Sequence, residues 1–301
     1  MELWIVATLC ATIFQTLRFM LQKQLSMGAL STGGATFARF AYSAPLLAAV
    51  LLLWLTFTET ALPDLSPRFW LMGAVGGLAQ ILATVCVVAL FRARNFAVGI
   101  TFKKTEVVQA ALVGLIILGE GVSTLGLVAI LIGLTGVLLL SSAPQSEGRW
   151  SERLFTRAAG LGLASGLLFA ISGVTYRAAT LEVGVDAPLM RAAVTLSAVT
   201  LMQFAAMAIW LRFFEKGQIT AVWAARRKAL WIGLMSLGGS LGWFVAFTLQ
   251  TAAYVKALGQ IELIFSLMVS VLVFKEKLTK REAIGMGFLS ASVLLLILVT
   301  R

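Results

Sequence analysis

The sequence predicts an all-α integral membrane protein, with ten transmembrane helices arranged as two inverted five-helix repeats. Three observations carry that expectation. Of 301 residues, 60% are hydrophobic and 12% charged, with a mean hydropathy of +0.96, well beyond the roughly 45–50% apolar share of soluble domains. The apolar residues fall in ten runs, each close to the about 20 residues that an α-helix needs to cross a bilayer. Finally, the second half of the chain repeats landmarks of the first at a nearly constant spacing.

The runs lie at about 3–24, 32–55, 69–91, 96–118 and 123–141, then 157–179, 187–211, 229–251, 253–274 and 282–300. They are apolar on every face, whereas membrane β-strands alternate apolar and polar residues, so a barrel is excluded. The first run opens MELWIVATL, without a basic leader or small-residue cleavage site, and reads as a retained span. The second and seventh spans carry Arg39 and Arg191, and the third and eighth each hold a GxxxG pair, Gly73 with Gly77 and Gly238 with Gly242, which lets helices approach closely. The fourth and ninth carry Glu106 and Glu262. The fifth and tenth follow Glu120 and Glu276, which read as boundary residues. Trp4, Trp54, Trp70, Trp210 and Trp231 stand near span ends, as an interfacial belt. The expected units are residues 1–141, a basic connecting loop at 142–156, and residues 157–301.

The repeat is clearest where TEVVQAALVGLIILGE, from Thr105, matches IELIFSLMVSVLVFKE, from Ile261; both pairs of acids are offset by 156. TFARF around Arg39 and PLMRA around Arg191 match at an offset of 152, and the longer basic loop after the seventh span absorbs the difference. Five spans is an odd number, so the second repeat enters the membrane from the opposite side, an architecture that places a substrate site near mid-membrane between the halves. Loop charge assigns the sides. Fifteen Lys and Arg residues lie on the odd-numbered loops, against Arg68, Arg177 and Arg301 on the other side, which puts the odd loops in the cytoplasm and both termini outside.

Several functions are excluded. No GxxxxGK[ST] loop occurs, so transport powered by nucleotide bound to this chain is not expected. There is no His, which removes the commonest general base and metal ligand; neither an enzyme nor a metal or cofactor protein is expected. Cys10 and Cys86 lie within apolar runs and read as buried packing residues. The net charge of +11 is spread over loops flanking apolar spans and does not point to nucleic acid.

With Arg39 and Arg191, the segments LGEGVSTLGLVAILIGLTGVLLL from Leu118 and FKEKLTKREAIGMGFLSASVLLL from Phe274 resemble the ending of each repeat in the drug/metabolite transporter superfamily, specifically its ten-helix EamA branch. The resemblance covers essentially the whole chain. It implies a ten-helix bundle around a central cavity that exports or exchanges small metabolites, amino acids or drugs by alternating access. The usual proline of the fourth and ninth helices is replaced, in TFKKTEVVQ around Lys103 and LGQIELIFS around Gln260, and Gln15 stands where small multidrug relatives carry a glutamate. Family members are usually drawn with cytoplasmic termini, opposite to the charge reading here.

A charge at a helix centre costs about 2.5–3.5 kcal/mol on insertion scales, so such residues face a cavity or a partner. Glu106 and Glu262 fall near the middle of their spans and are expected to face one another across the cavity as substrate or proton ligands. Lys103, three residues from Glu106, is placed to pair with it. Lys104, Lys256, Arg39, Arg191 and Arg18 are candidate lining residues, as are the polar Gln15, Gln80 and Gln260 and the deep-lying Trp243. Six basic against two acidic residues within spans favours substrates with an anionic group, such as amino acids; the other transport reading is proton-coupled export of cationic drugs bound at Glu106 and Glu262. A channel or an intramembrane enzyme is a lesser alternative. The expected partners are the substrate, protons and the bilayer of a bacterial inner membrane, for a monomer or weak homodimer.

Overall fold

The structure is a computed structural model and describes residues 2–26, 30–91, 102–140, 156–265 and 279–300. Among these residues every regular element is helical: α1 (Leu3–Ser26), α2 (Thr32–Phe57), α3 (Pro67–Phe91), α4 (Glu106–Leu118), α5 (Thr124–Leu140), α6 (Arg157–Leu181), α7 (Pro188–Phe214), α8 (Gln218–Ala224), α9 (Arg226–Leu249), α10 (Ala252–Gly259) and α11 (Lys280–Val299). Seven of them, α1, α2, α3, α6, α7, α9 and α11, are long and apolar enough to cross a membrane, and α4 and α5 are shorter apolar helices. This is the architecture of a multi-pass helical membrane protein. Residues 96–101 and 266–274 of the fourth and ninth predicted spans, and 142–155 of the connecting loop, lie outside the described residues, as does Glu276.

Local sequence explains where the helices start. Ser31 and Thr156 accept a hydrogen bond from the backbone N–H three residues on, capping α2 and α6, and Thr279 with Glu282 forms a full capping box at α11. Proline opens α3 and α7, where its missing N–H costs nothing. The loop after the seventh span holds a helix the sequence did not announce, α8, entered through Gly217 at φ 86, a backbone angle that favours glycine.

Three pairings dominate the packing: α3 with α6, α5 with α11, and α1 with α9. Each is a close approach over small residues. A Cβ on Gly242 of α9 would stand 2.7 Å from the Ala7 carbonyl oxygen of α1, and one on Gly136 of α5 would stand 2.7 Å from the Gly285 carbonyl oxygen of α11, so these backbones nearly touch, as close helix contact in lipid requires. In α3 the residue that admits α6 is Gly76, whose Cβ would meet the Tyr176 ring at 2.7 Å; Gly73 and Gly77 face Val199, Met202 and Gln203 of α7 instead.

The main core runs from Trp4 and Ile5 through Val174 and Tyr176 to Phe244, Val255 and Leu258. The exterior is apolar as well, with Leu52, Ile116, Trp210 and Phe213 among many exposed large side chains, a surface suited to hydrocarbon. Two sequence expectations change here. Trp4 is 3% exposed and belongs to the core, because α1 lies against α9 along its length, whereas Trp54, Trp70, Trp210 and Trp231 are exposed. Cys10 is exposed and Cys86 half-buried, both as free thiols; an apolar thiol is as much at home against lipid as in a core.

Candidate functional site

Two of the predicted spans are interrupted, at matching places. Residues 102–103 are helical, 104–105 form a turn, and α4 resumes with Glu106; α10 ends at Gly259, 260–261 form a turn, and helix resumes with Glu262. Both turns tighten to i→i+3 bonding: the Thr105 N–H reaches the Phe102 carbonyl at 3.2 Å, and the N–H groups of Gln260 and Ile261 reach Ala257 and Leu258 at 3.2 and 3.1 Å. No proline makes either break. Gly166 of α6 accommodates the first, since a Cβ there would stand 3.0 Å from the Lys103 carbonyl oxygen.

The breaks bring the charged side chains together. Lys103 Nζ lies 3.3 Å from Glu106 Oε2, with both side chains buried, and Lys104 pairs with Glu262 across the two interrupted spans. Gln15 of α1 donates to Glu262 at 3.3 Å and accepts from the Trp243 indole of α9 at 3.1 Å. Each carboxylate is therefore engaged by a lysine. The two acids flank adjacent residues 103 and 104, and neither lines the central cavity.

That cavity is walled by Gln15 and Arg18 of α1, Arg39 of α2, Gln80 of α3, Phe169, Ser172 and Tyr176 of α6, Ser240, Trp243 and Phe247 of α9, and Lys256 of α10. Gln15, Gln80 and Phe169 each lie within one residue of their helix midpoints, so the cavity sits at mid-depth. Its free volume is about 20 Å³, room for about one water molecule and not for an organic solute. The conformation seen is closed.

Among the described residues no cation on this wall forms a direct ion pair; Glu262 acts on Arg18, and Glu106 and Glu262 act on Lys256, only from beyond contact distance. Arg39 donates to Ser236, Thr84 and Ser240 hydroxyls at 2.9, 3.4 and 3.1 Å. Arg18 donates to the Gln22 side-chain oxygen at 3.2 Å and lies 4.3 Å from the centre of the Phe19 ring. Lys256 Nζ stands among three rings, 5.1 Å from Trp243, 5.4 Å from Phe169 and 5.8 Å from Phe247, each close enough for cation–π attraction. The Phe169 ring is shared with Lys103, 5.0 Å away.

The remaining candidates divide. Gln80 accepts from Tyr176 at 3.1 Å and from Gln203 at 3.0 Å, a network in which the sequence reading missed both partners. Gln260 is buried at the second break and donates to the Lys256 carbonyl, and its own oxygen has no hydrogen-bond partner among the described residues. Arg191 does not join the cluster: it sits in the first turn of α7, half-buried, and bonds the Val185 carbonyl of the preceding loop. Its four-residue slip relative to Arg39 moves it a full helical turn towards the span end. Glu120, read as a boundary residue, accepts from Arg177 with both oxygens at 2.8 Å, and Arg177 also bonds the carbonyls of Phe247 and Gln250 at 2.8 and 3.0 Å. This clamp ties the C-terminal ends of α4, α6 and α9 beside the cavity. Tyr176, Gln203, Ser236 and Ser240 are obscured in the sequence by apolar or glycine-rich surroundings; only the four-residue spacing of the two serines, one helical face, hints at a polar stripe.

No family model matches the chain, and no curated protein matches it. A solved structure described only as "Crystal structure of protein" is similar to it with a TM-score of 0.66 at 17% identity, over 96% of this chain and 98% of that one. The likeness extends through both halves and is one of fold.

Proposed function

We propose that the chain is a secondary active transporter, an exporter or exchanger of small amphipathic metabolites such as amino acids, working by alternating access around the mid-depth cavity. The observation that carries this reading is the concentration of buried charge where two broken helices meet a closed cavity, inside a bundle whose other faces are apolar. Charge at that depth is costly and is kept for ligand or ion pathways, and interrupted helices at mid-membrane are how transporters expose backbone and side chains to a solute. The second reading, export of cationic drugs by proton antiport, needs a carboxylate open to a cation, whereas Glu106 and Glu262 each face a lysine.

The EamA-type architecture of ten spans in two inverted repeats draws support from the packing. Shifting each helix by five spans carries α1 to α6, α3 to α9 and α5 to α11. The α1–α9 pairing then becomes α6–α3, and α5–α11 becomes itself; both are among the dominant contacts. The breaks at 104–105 and 260–261 obey the same offset of 156 as the sequence match. On this reading the protein resides in a bacterial inner membrane with periplasmic termini, a placement that C-terminal reporter fusions test.

Proteoliposomes containing only this protein, loaded with unlabelled amino acids, are expected to accumulate labelled substrate by counterflow without ATP. Absence of counterflow across amino acids, organic anions and quaternary amines, or an absolute need for ATP, refutes the proposal.

A further inference from the structure

Among the described residues the buried cluster does not balance its charge. Arg18, Arg39, Lys103, Lys104 and Lys256 are five buried cations, against two carboxylates, the buried Glu106 and the half-buried Glu262. The difference, 5 − 2, leaves three positive charges. Lys103 and Lys104 take the direct ion pairs of both acids, which act on Arg18 and Lys256 only at longer range, so the cations without a contacting carboxylate are Arg18, Arg39 and Lys256, the three that line the cavity. Lysine can discharge by losing its proton in an apolar site, but guanidinium stays charged in proteins. At least two fixed positive charges therefore face a closed space where, among the described residues, their direct contacts are hydroxyl, amide and aromatic groups. Hydroxyls engage three of the five Arg39 N–H donors without supplying negative charge, and buried charge without a counter-charge costs several kcal/mol per ion.

We infer that the cavity between Arg18, Arg39 and Lys256 is a binding site for a small organic dianion, a dicarboxylate or phosphate monoester whose apolar part lies against the Phe169, Trp243 and Phe247 rings. The inference deepens the transport reading by naming its substrate class, and rests on that reading for the translocation step after binding. The two guanidinium groups set the charge of the ligand, and the aromatic wall sets its character, because a flat carbon skeleton gains from rings that a hydrated inorganic ion does not use. Lys256 adds a third, dischargeable cation whose closest contacts are ring faces, with Glu106 acting on it from beyond ion-pair distance. Binding requires the cavity to widen, since the closed form holds about 20 Å³.

The test is a charge series on one ring. Purified protein is melted in detergent with terephthalate, phenyl phosphate, benzoate, terephthalamide or p-xylylenediamine. Terephthalate and phenyl phosphate are expected to raise the melting temperature dose-dependently, benzoate less, and the neutral and dicationic members not at all. Arg39→Gln and Arg18→Gln should each raise the half-saturating terephthalate concentration about tenfold or more, as expected for losing a charge-assisted hydrogen bond, with Arg39→Lys recovering part of the loss. If the glutamine variants fail to fold, the series on the parent protein decides alone. A response to the diamide or diamine equal to that of terephthalate, or none to any anion at millimolar concentration, overturns the inference. Counterflow with the same compounds separates the two readings. Dianion binding without translocation refutes transport and leaves the anion site standing; translocation of the diamine alone keeps transport and overturns the anion site.

Discussion

Replacing Glu262 by Gln probes the one ion pair that joins the two interrupted spans. Lys104 is 3% exposed at its side chain and Glu262 15%, so water contributes little to the lysine and only modestly to the acid. The variant keeps shape, and its amide oxygen can still accept from Gln15, but the buried Lys104 ammonium loses its contacting anion, with only the more distant Glu106 left nearby. Removing one partner of such a pair costs about 3–5 kcal/mol, and the cost is bounded above by discharging a lysine at neutral pH, about 4–5 kcal/mol from its ordinary pKa. Lys104→Met leaves the opposite orphan, a carboxylate hydrogen-bonded by Gln15 with Lys103 as the remaining nearby cation, and should cost up to a similar amount. The double variant removes both charges, so its cost should fall below that of either single variant plus about 1 kcal/mol. Reversible unfolding in mixed micelles measures all four proteins of this cycle. Additivity within about 0.5 kcal/mol would refute the pairing as an energetic link between the spans, whatever the geometry.

Three other variants test separate parts of the site. Gly166→Ala drives a methyl group to 3.0 Å from the Lys103 carbonyl oxygen and should destabilise by about 1–3 kcal/mol while lowering transport more than the stability loss explains; counterflow normalised to folded protein measures this. Gln203→Leu takes from the Gln80–Tyr176 network the amide that reaches the Gln80 oxygen, the Tyr176 hydroxyl and the Gly77 carbonyl, with an expected loss of about 1–3 kcal/mol read in the same unfolding assay. Glu120→Gln weakens the clamp on Arg177, and a cysteine placed at Ser172 in a background lacking Cys10 and Cys86 should react faster with a water-soluble maleimide than in the same background with Glu120 intact.

Much of the helical plan is legible in the sequence because hydrocarbon tolerates few exceptions: twenty apolar residues in a row leave α1, α2 or α9 little alternative to a helix. The Lys103–Glu106 contact is legible too, from spacing alone. The breaks are not. Neither Lys104–Thr105 nor Gln260–Ile261 contains proline or glycine, and the interruption arises from how these segments pack on Gly166 and pair across the bundle, which are non-local facts. The division of labour within the site is equally hidden. Composition shows an excess of cations within spans, but only the fold separates Lys103 and Lys104, which neutralise acids, from Arg18, Arg39 and Lys256, which face the cavity. Arg191 marks the limit of repeat arithmetic, since an offset of 152 instead of 156 moves a side chain one helical turn and changes what it meets.

The absence of proline from the two interruptions has a mechanical consequence. A proline deletes a backbone donor and blocks the preceding turn, so a kink built on it is permanent. Thr105, Glu106, Ile261 and Glu262 all retain their N–H groups, and what holds the turns open is side-chain contact, which is reversible. Each residue that passes from i→i+3 to i→i+4 bonding shortens its rod by about 0.5 Å. The fourth and ninth spans thus have the covalent makeup of struts of adjustable length, locked by the same lysines and carboxylates that a passing solute would disturb.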